Sequence, residues 1–267
     1  MIRAIAHPTD FSPEGQVAFA HALRLAVANR CPLDLLHVRG QHDADHYEKF
    51  PHIREVLMRW GVLGPQASVE DIAAVAGVRA RKVEIRDAHA AEGLAQFLTS
   101  HLPELLVMAT HGRDGLNRWL HGSVSSEVAR KVQAPVMLIG PAARPFVDLG
   151  SGEMRLHKIL VPIAHDPVPL RGLHILETLM EGLDVTIDIV HIGPEVPHLL
   201  DSKGATLKVR QIDGPVIDRI LEEAEIGRAS LIAMPTAGNH GYLDALRGST
   251  TEQIVAKAPC PVVALPA

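Results

Sequence analysis

At 267 residues, 47% apolar and 21% charged, the chain is globular and long enough for one large or two ordinary domains. A net charge of −5 with neutral histidines gives no basis for a nucleic-acid or acidic-membrane partner. Cys31 and Cys260 are too few for a disulfide framework, each sits beside a proline as a small apolar residue, and a reducing compartment fits. The N-terminus lacks a signal-peptide pattern and no apolar run approaches the ~20 residues of a membrane span, so a cytoplasmic protein is expected. With aromatics at 3%, the core must be aliphatic, which suits helices packed closely on a parallel sheet.

Ile2 to Ala6 is an apolar run that ends at His7-Pro8-Thr9-Asp10, as a strand stopped by proline would. Ser12-Pro13-Glu14 is a helix start: a cap, a proline at the first helical position, then an acid. Phe19, Leu23, Ala26 and Val27 continue it on one face. Leu33 to Val38 is a second buried strand. Residues 44–59 and 68–76 read as polar and helical, interrupted by Gly61, Gly64 and Pro65. Arg81 to Arg86 alternates as a third strand, and Ala90 to Leu102 is a helix. Leu105 to Met108 is a fourth strand, Val124 to Val132 a helix and Val136 to Ile139 a fifth strand. Strands alternating with helices predict right-handed βαβ crossovers and a parallel sheet covered on both faces.

Pro141 to Glu153, rich in Pro, Gly and Ala, reads as a linker, after which the pattern repeats. Ile159-Leu-Val-Pro162 echoes Ile5-Ala-His-Pro8, and Ile189-Val-His-Ile192 echoes Leu35-Leu-His-Val38. Thr236-Ala-Gly238 matches Thr110-His-Gly112, and Gly248-Ser249 matches Gly122-Ser123. Lys257-Ala-Pro-Cys-Pro261 matches the end of the first copy around Lys131 to Pro135. Landmarks in one order mark a tandem duplication. The second copy is 28 residues shorter between its first and last strands, mostly where the first has residues 44–76. The expected organisation is a first domain at 1–143, a linker at 144–154 and a second domain at 155–267.

The stretch Met108 to Ser126 carries the chemistry. Glycines at 112, 115 and 122 let backbone approach a ligand. Gly122-Ser123 falls where a helix begins, so free N–H groups and the positive end of a helix dipole face outward, which suits a phosphate. A serine at a helix start is also an ordinary cap.

Together these features resemble the universal stress protein family in its tandem two-domain form. The resemblance rests on Pro8-Thr9-Asp10-Phe11-Ser12, on Ala109-Thr-His-Gly112 followed nine residues later by Gly122-Ser123, and on the terminal Ala134-Pro135-Val-Met-Leu-Ile. It covers both halves of the chain. It implies an α/β fold of two Rossmann-like units of the adenine-nucleotide-alpha-hydrolase type. Each would be an open five-stranded parallel sheet in the order 3-2-1-4-5, with an adenine nucleotide (ATP, or ADP or AMP, with or without Mg) at the carboxyl ends of strands 1 and 4. By position, Pro8, Thr9 and Asp10 would line the adenosine end and Val38 would offer its backbone to the base. Met108, Ala109, His111 and Gly112 would flank the ribose and α-phosphate. Gly122, Ser123, Val124 and Ser125 would cradle the outer phosphates. The family also implies pairing of last strands, here as a pseudo-dimer within one chain, with a homodimer as a further option.

The first copy departs at Ala109, where the family has glycine. The second departs more. Ala164 replaces Asp10, with Asp166 two residues on, and Pro235 replaces the first loop position and removes an N–H. Ser249-Thr-Thr-Glu252 also reads as a capping box. The binding site is therefore expected in the first copy.

Other chemistry is weaker. The lysine of a P-loop is absent, Arg113 and Arg118 are loop arginines, and there is no Gly-x-Ser-x-Gly elbow. His42-x3-His46 has the spacing of a metal pair on a helix but lacks a third ligand, so a polar surface segment is expected. His37 and His191, at equivalent strand positions, are expected to be satisfied core or sheet-end histidines rather than catalysts. Three function classes stand: a nucleotide-binding stress-response regulator, an interaction module of the same fold without nucleotide, and a slow enzyme, for which no catalytic constellation is present.

Overall fold

A computed structural model describes residues 2–40, 44–110, 124–132, 134–165, 169–201, 204–235 and 250–266. The first repeat runs β1 (Ile5–Pro8), α1 (Pro13–Asn29), β2 (Leu33–Arg39), α2 (Ile53–Arg59), α3 (Glu70–Ala74), β3 (Ala80–Arg86), α4 (Ala90–Ser100), β4 (Leu105–Ala109), α5 (Val124–Lys131) and β5 (Val136–Ile139). The second runs β6 (Lys158–Ile163), α6 (Leu170–Met180), β7 (Thr186–Ile192), β8 (Val209–Ile212), α7 (Val216–Ile226), β9 (Leu231–Pro235), α8 (Thr250–Lys257) and β10 (Val262–Leu265). The chain divides into two compact units. One is Ile2–Ala134 with Val147–Arg155, and the other is Pro135–Phe146 with Leu156–Ala267.

In the first unit the strand order is β3-β2-β1-β4, all parallel. β1 and β4 are almost wholly buried because both faces of the sheet are covered. The β1–α1–β2 and β2–β3 crossovers run outward in one direction along the sheet, and β3–α4–β4 returns past β1. A constant right hand therefore puts α4, which packs with α5, on the face opposite α1. α1 carries the core of its face through Phe19, Leu23, Leu25 and Ala26, each at most 4% exposed. It ends at Arg30 in the left-handed region, φ 50°.

In the second unit the order β8-β7-β6-β9-β10 reproduces 3-2-1-4-5 in full. β5 belongs to this unit and pairs antiparallel with β10, Val136 opposite Ala264 and Leu138 opposite Val262. The pairing satisfies the edge that an apolar last strand would otherwise expose. An Arg–Asp clamp recurs across the second and third strands of each repeat. Arg81 holds Asp34 by two bonds of 2.7 and 2.6 Å, and Arg210 holds Asp188 at 3.3 and 3.0 Å.

Between β2 and β3 the expected helical region is broken into a 3-10 turn (Tyr47–Lys49), α2 and α3. His46 precedes that turn rather than lying on a helix, so the spacing His42-x3-His46 does not act as an i,i+4 pair there. His42 lies outside the described residues. The second copy has no helix among the described residues of 193–208, which accounts for its missing length.

The Pro/Gly/Ala-rich segment is not an open tether. Phe146 and Val147 are buried, and Val147 bridges Met154 in an antiparallel turn. Asp148 Oδ1 accepts from the N–H groups of Gly150 and Ser151 at 3.0 and 2.8 Å. Trp60 Nε1 donates to Leu149 O at 3.1 Å, and Arg24 Nε to Gly152 O at 2.9 Å. Gly152 has φ +68°, and a Cβ there would lie 2.4 Å from Trp60. Gly152→Ala is therefore expected to cost roughly 2 kcal/mol or more in urea unfolding, from backbone strain and overpacking together. Gly150→Ala, which meets only Asp148 Oδ1 at 3.4 Å, should stay within about 0.5 kcal/mol. Equal losses would mean that the turn is not docked on Trp60.

Candidate functional site

The site grows from the way β1 ends. Pro8 pairs with Leu36, and the next residue, Thr9, donates its N–H to Leu36 O at 2.8 Å. Thr9 O accepts from His37 Nδ1 at 2.8 Å, so both backbone polar groups of Thr9 are fastened to β2. The second copy repeats this with His191 Nδ1 and Ile163 O at 3.0 Å. Both histidines thus serve the sheet end, with the proton on Nδ1 inferred from the carbonyl it meets.

Beyond Thr9 the chain must reverse into α1. Asp10 Oδ1 accepts from Ser12 N at 3.0 Å and from Ser12 Oγ at 2.6 Å. Ser12 Oγ in turn accepts from Gly15 N at 3.0 Å, which caps the helix. Thr9 Oγ1 accepts from Phe11 N at 3.1 Å, and Phe11 is held at φ 63°. A bulky residue in that region is strained. It persists here because its ring packs against His37, 4.2 Å between centroids, and edge-on to Phe50 at 5.3 Å. A Cβ on Gly15 would meet Asp10 Oδ1 at 3.1 Å, Ser12 Oγ at 3.3 Å and Thr9 Oγ1 at 3.5 Å. Sequence reasoning missed Gly15 and Phe11. A glycine in the first turn of a good helix was the available signal, since a glycine in a helix costs stability unless something approaches it closely.

β4 lies next to β1 in the sheet and is parallel to it, so Met108 and Ala109 come to the same carboxyl edge as Thr9 and Asp10. Met108 is buried and Ala109 half-buried. His7, fully buried, points across this pair: its Nδ1 meets Val107 O at 2.9 Å. Its Nε2 has no hydrogen-bond partner among the described residues. Val38 stands on β2 two residues past the Pro8–Leu36 pair. Val124 and Ser125 open α5, the first exposed and the second buried. His111, Gly112, Gly122 and Ser123 lie outside the described residues, as do Asp166 and Ser249 of the second copy. The structure thus brings together Pro8, Thr9, Asp10, Met108 and Ala109 at one sheet edge.

The second copy builds its corresponding end differently. Its α6 starts after Pro169 with no side-chain cap, and Ala164 stands where Asp10 is in the first. Pro235 is close-packed: a Cβ on Gly172 would lie 2.7 Å from it. Gly172 is the third residue of α6 as Gly15 is of α1, but it packs against Pro235, and the carboxylate and hydroxyl of the first copy have no counterpart among the described residues here.

Burial pushes the Cys31 thiol up to about 11 and the Cys260 thiol to about 12, so neither is a thiolate nucleophile. Among the described residues no cluster of three His, Cys, Asp or Glu is placed to hold a metal. No helix there is long and apolar enough to cross a membrane.

An open parallel sheet whose polar groups gather at the carboxyl ends of adjacent strands defines the class of doubly wound α/β ligand-binding proteins. The sequence matches the universal stress protein family model over residues 1–140 and 198–266, and the chain belongs to that family. Its fold is similar to that of a universal stress protein from Archaeoglobus fulgidus, 18% identical with a TM-score of 0.62 over 98% of this chain and 95% of that one. It is also similar to a functionally unknown protein from Pseudomonas aeruginosa, 17% identical with a TM-score of 0.63 over 99% of this chain and 92% of that one. Among curated proteins none matches the chain.

Two expectations follow from this geometry. Burial holds the pKa of His7, and of His21 on α1, down to about 4 from 6.5. A folded pKa below the unfolded one means that stability is full above pH 6.5 and is lost as pH falls toward 4, by roughly 3 kcal/mol for each histidine. Urea midpoints between pH 7 and 4 should fall, and a His7→Gln/His21→Gln protein should fall less. Ser12→Ala should lower the unfolding free energy by about 1 kcal/mol through loss of the α1 cap, with Ser100→Ala, exposed at the end of α4, as the near-neutral comparison.

Proposed function

We propose that this chain is an adenine-nucleotide-binding regulatory protein of stress response, with its site in the first repeat. The ligand would be ATP, ADP or AMP, with or without Mg. The observation that carries the reading is Asp10. Its carboxylate is held at the carboxyl end of β1, beside the end of β4, by hydrogen bonds from Ser12. A fixed carboxylate is a strong acceptor for ribose hydroxyls or an adenine edge. Thr9, Val38, Met108 and Ala109 would surround the nucleoside. Val124 and Ser125, at the start of an α-helix, would meet phosphate together with His111, Gly112, Gly122 and Ser123. Binding rather than turnover is the proposed role, and no residue is assigned to catalysis. The β5–β10 pairing supports the proposal that the two repeats form a pseudo-dimer within the chain.

A second reading, an interaction module of the same fold that has lost nucleotide, is favoured by Ala109 and by the replacements Ala164 and Pro235 in the second copy. Denaturing the purified protein and assaying the supernatant for adenine nucleotide separates the two. Nucleotide in the supernatant, or ATP binding by calorimetry, supports the first reading. Neither signal at millimolar ATP would leave the second. Asp10→Ala should weaken ATP binding at least tenfold and Asp166→Ala less than threefold, given about 1.5–3 kcal/mol for a charged hydrogen bond. Equal losses would move the site out of the first copy.

A further inference from the structure

The chain holds five Phe, two Trp and two Tyr, and three of those Phe and one Trp surround a single cavity in the first unit. It opens between α1 and the segment from the 3-10 turn to Trp60, on the α1 face of the sheet. Its volume is about 340 Å³, at the small end of the range of ligand pockets. Phe11, Phe19, Val56, Trp60 and Leu149 form its apolar wall. Phe50, wholly buried, stands behind Phe11 and keeps that ring in place. The docked turn completes the wall, since Trp60 Nε1 is tied to Leu149 O. Trp60 thereby presents its ring while its polar atom is already satisfied.

Of the described residues assigned to the nucleotide, Thr9 alone borders this cavity; Pro8, Asp10, Val38, Met108, Ala109, Val124 and Ser125 do not. The rim carries both signs, Glu48 and Glu55 with Lys49 and Arg59, so no net charge selects the occupant. Aromatic walls select planar rings, through offset or edge-on contacts. Phe19, Phe50 and Trp60 are themselves buried, so the fold holds these rings in place around the cavity.

We propose that this cavity is a second ligand site, distinct from the nucleotide site, that takes a neutral planar aromatic molecule of one or two rings. The ring lies between Phe11, Phe19 and Trp60, and polar substituents point to the mixed-charge rim. Thr9 and Phe11, which flank Asp10 in the chain, form the partition between the two sites.

The test uses the full chain with Trp119→Phe, which leaves Trp60 as the sole tryptophan. Its fluorescence is titrated with 4-nitrobenzyl alcohol, a neutral aromatic quencher. Saturable quenching is expected, with cyclohexylmethanol, the saturated analogue, failing to compete. Val56→Phe, which fills the cavity without emptying the core, should weaken binding at least tenfold while keeping the unfolding midpoint. Ala20→Leu does the same from the α1 side should Val56→Phe not fold. Added ATP should leave the titration unchanged whether or not ATP binds. Linear collisional quenching, equal in the filled variants, would overturn the proposal. Competitive displacement by ATP would also overturn it, because the cavity would then belong to the nucleotide site.

Discussion

The hinge of the first repeat is a chain of three hydrogen bonds at the end of β1. Asp10 accepts from Ser12, Ser12 accepts from Gly15, and Thr9 accepts from Phe11. This local circuit lets a buried parallel strand turn directly into a helix without orphaned donors, which a covered sheet requires. It also fixes where the carboxylate sits. A helix cap and the carboxylate proposed to meet a nucleotide are here parts of one structure, so the position of Asp10 is set by the same bonds that start α1. The absence of a side chain at Gly15 is the steric condition for it, since any Cβ there would press on Asp10 and Ser12.

Duplication gives an internal control on which features belong to the fold. The histidine at the end of the second strand, bonded to the carbonyl after the first strand, occurs in both copies, and so does the Arg–Asp clamp between strands two and three. These hold the sheet together wherever it is used. Among the described residues the carboxylate–serine bonds occur in the first copy alone, although both helices keep a glycine at their third position. The second begins its corresponding helix after a proline and packs another proline against a glycine of that helix. What both copies keep is architecture, and the fixed carboxylate that one copy keeps is what the proposed nucleotide site rests on.

Much of this was legible in the sequence because the signals were local. Ser12-Pro13-Glu14 announced the start of α1, and apolar runs flanked by helices announced a parallel sheet whose strand order the second unit shows in full. Two things were not legible. Phe11 sits in a left-handed conformation that its residue type disfavours, and only the rings of His37 and Phe50 explain it. The segment 147–155 has the composition of a tether, and its docking depends on Trp60 and Arg24, far away in sequence. In both cases the deciding contact is non-local, where pattern and propensity carry little information. The partner of β5, by contrast, was expected: the family resemblance implied that the last strands of the two copies pair, and β5 does pair with β10. The phosphate end of the site, residues 111–123, rests on sequence alone.

The asymmetry between the copies extends past Asp10. The first repeat spends residues 40–79 between its second and third strands where the second uses 193–208. That extra length supplies the 3-10 turn, Phe50, α2 and Trp60, the outer wall of the aromatic cavity. The inner wall comes from α1, whose start is governed by Ser12, and the docked turn closes the third side. Removing residues 44–76, as the second copy in effect has done, would leave α1 facing solvent at Phe19 and Ala20. A large aromatic would then be exposed on the helix whose position orients Asp10. The added segment is therefore needed by the first copy as packing even before any ligand is considered, and the cavity it encloses lies against the same strand end as the carboxylate. The polar edge and the aromatic cavity share Thr9, so both depend on one short turn of backbone.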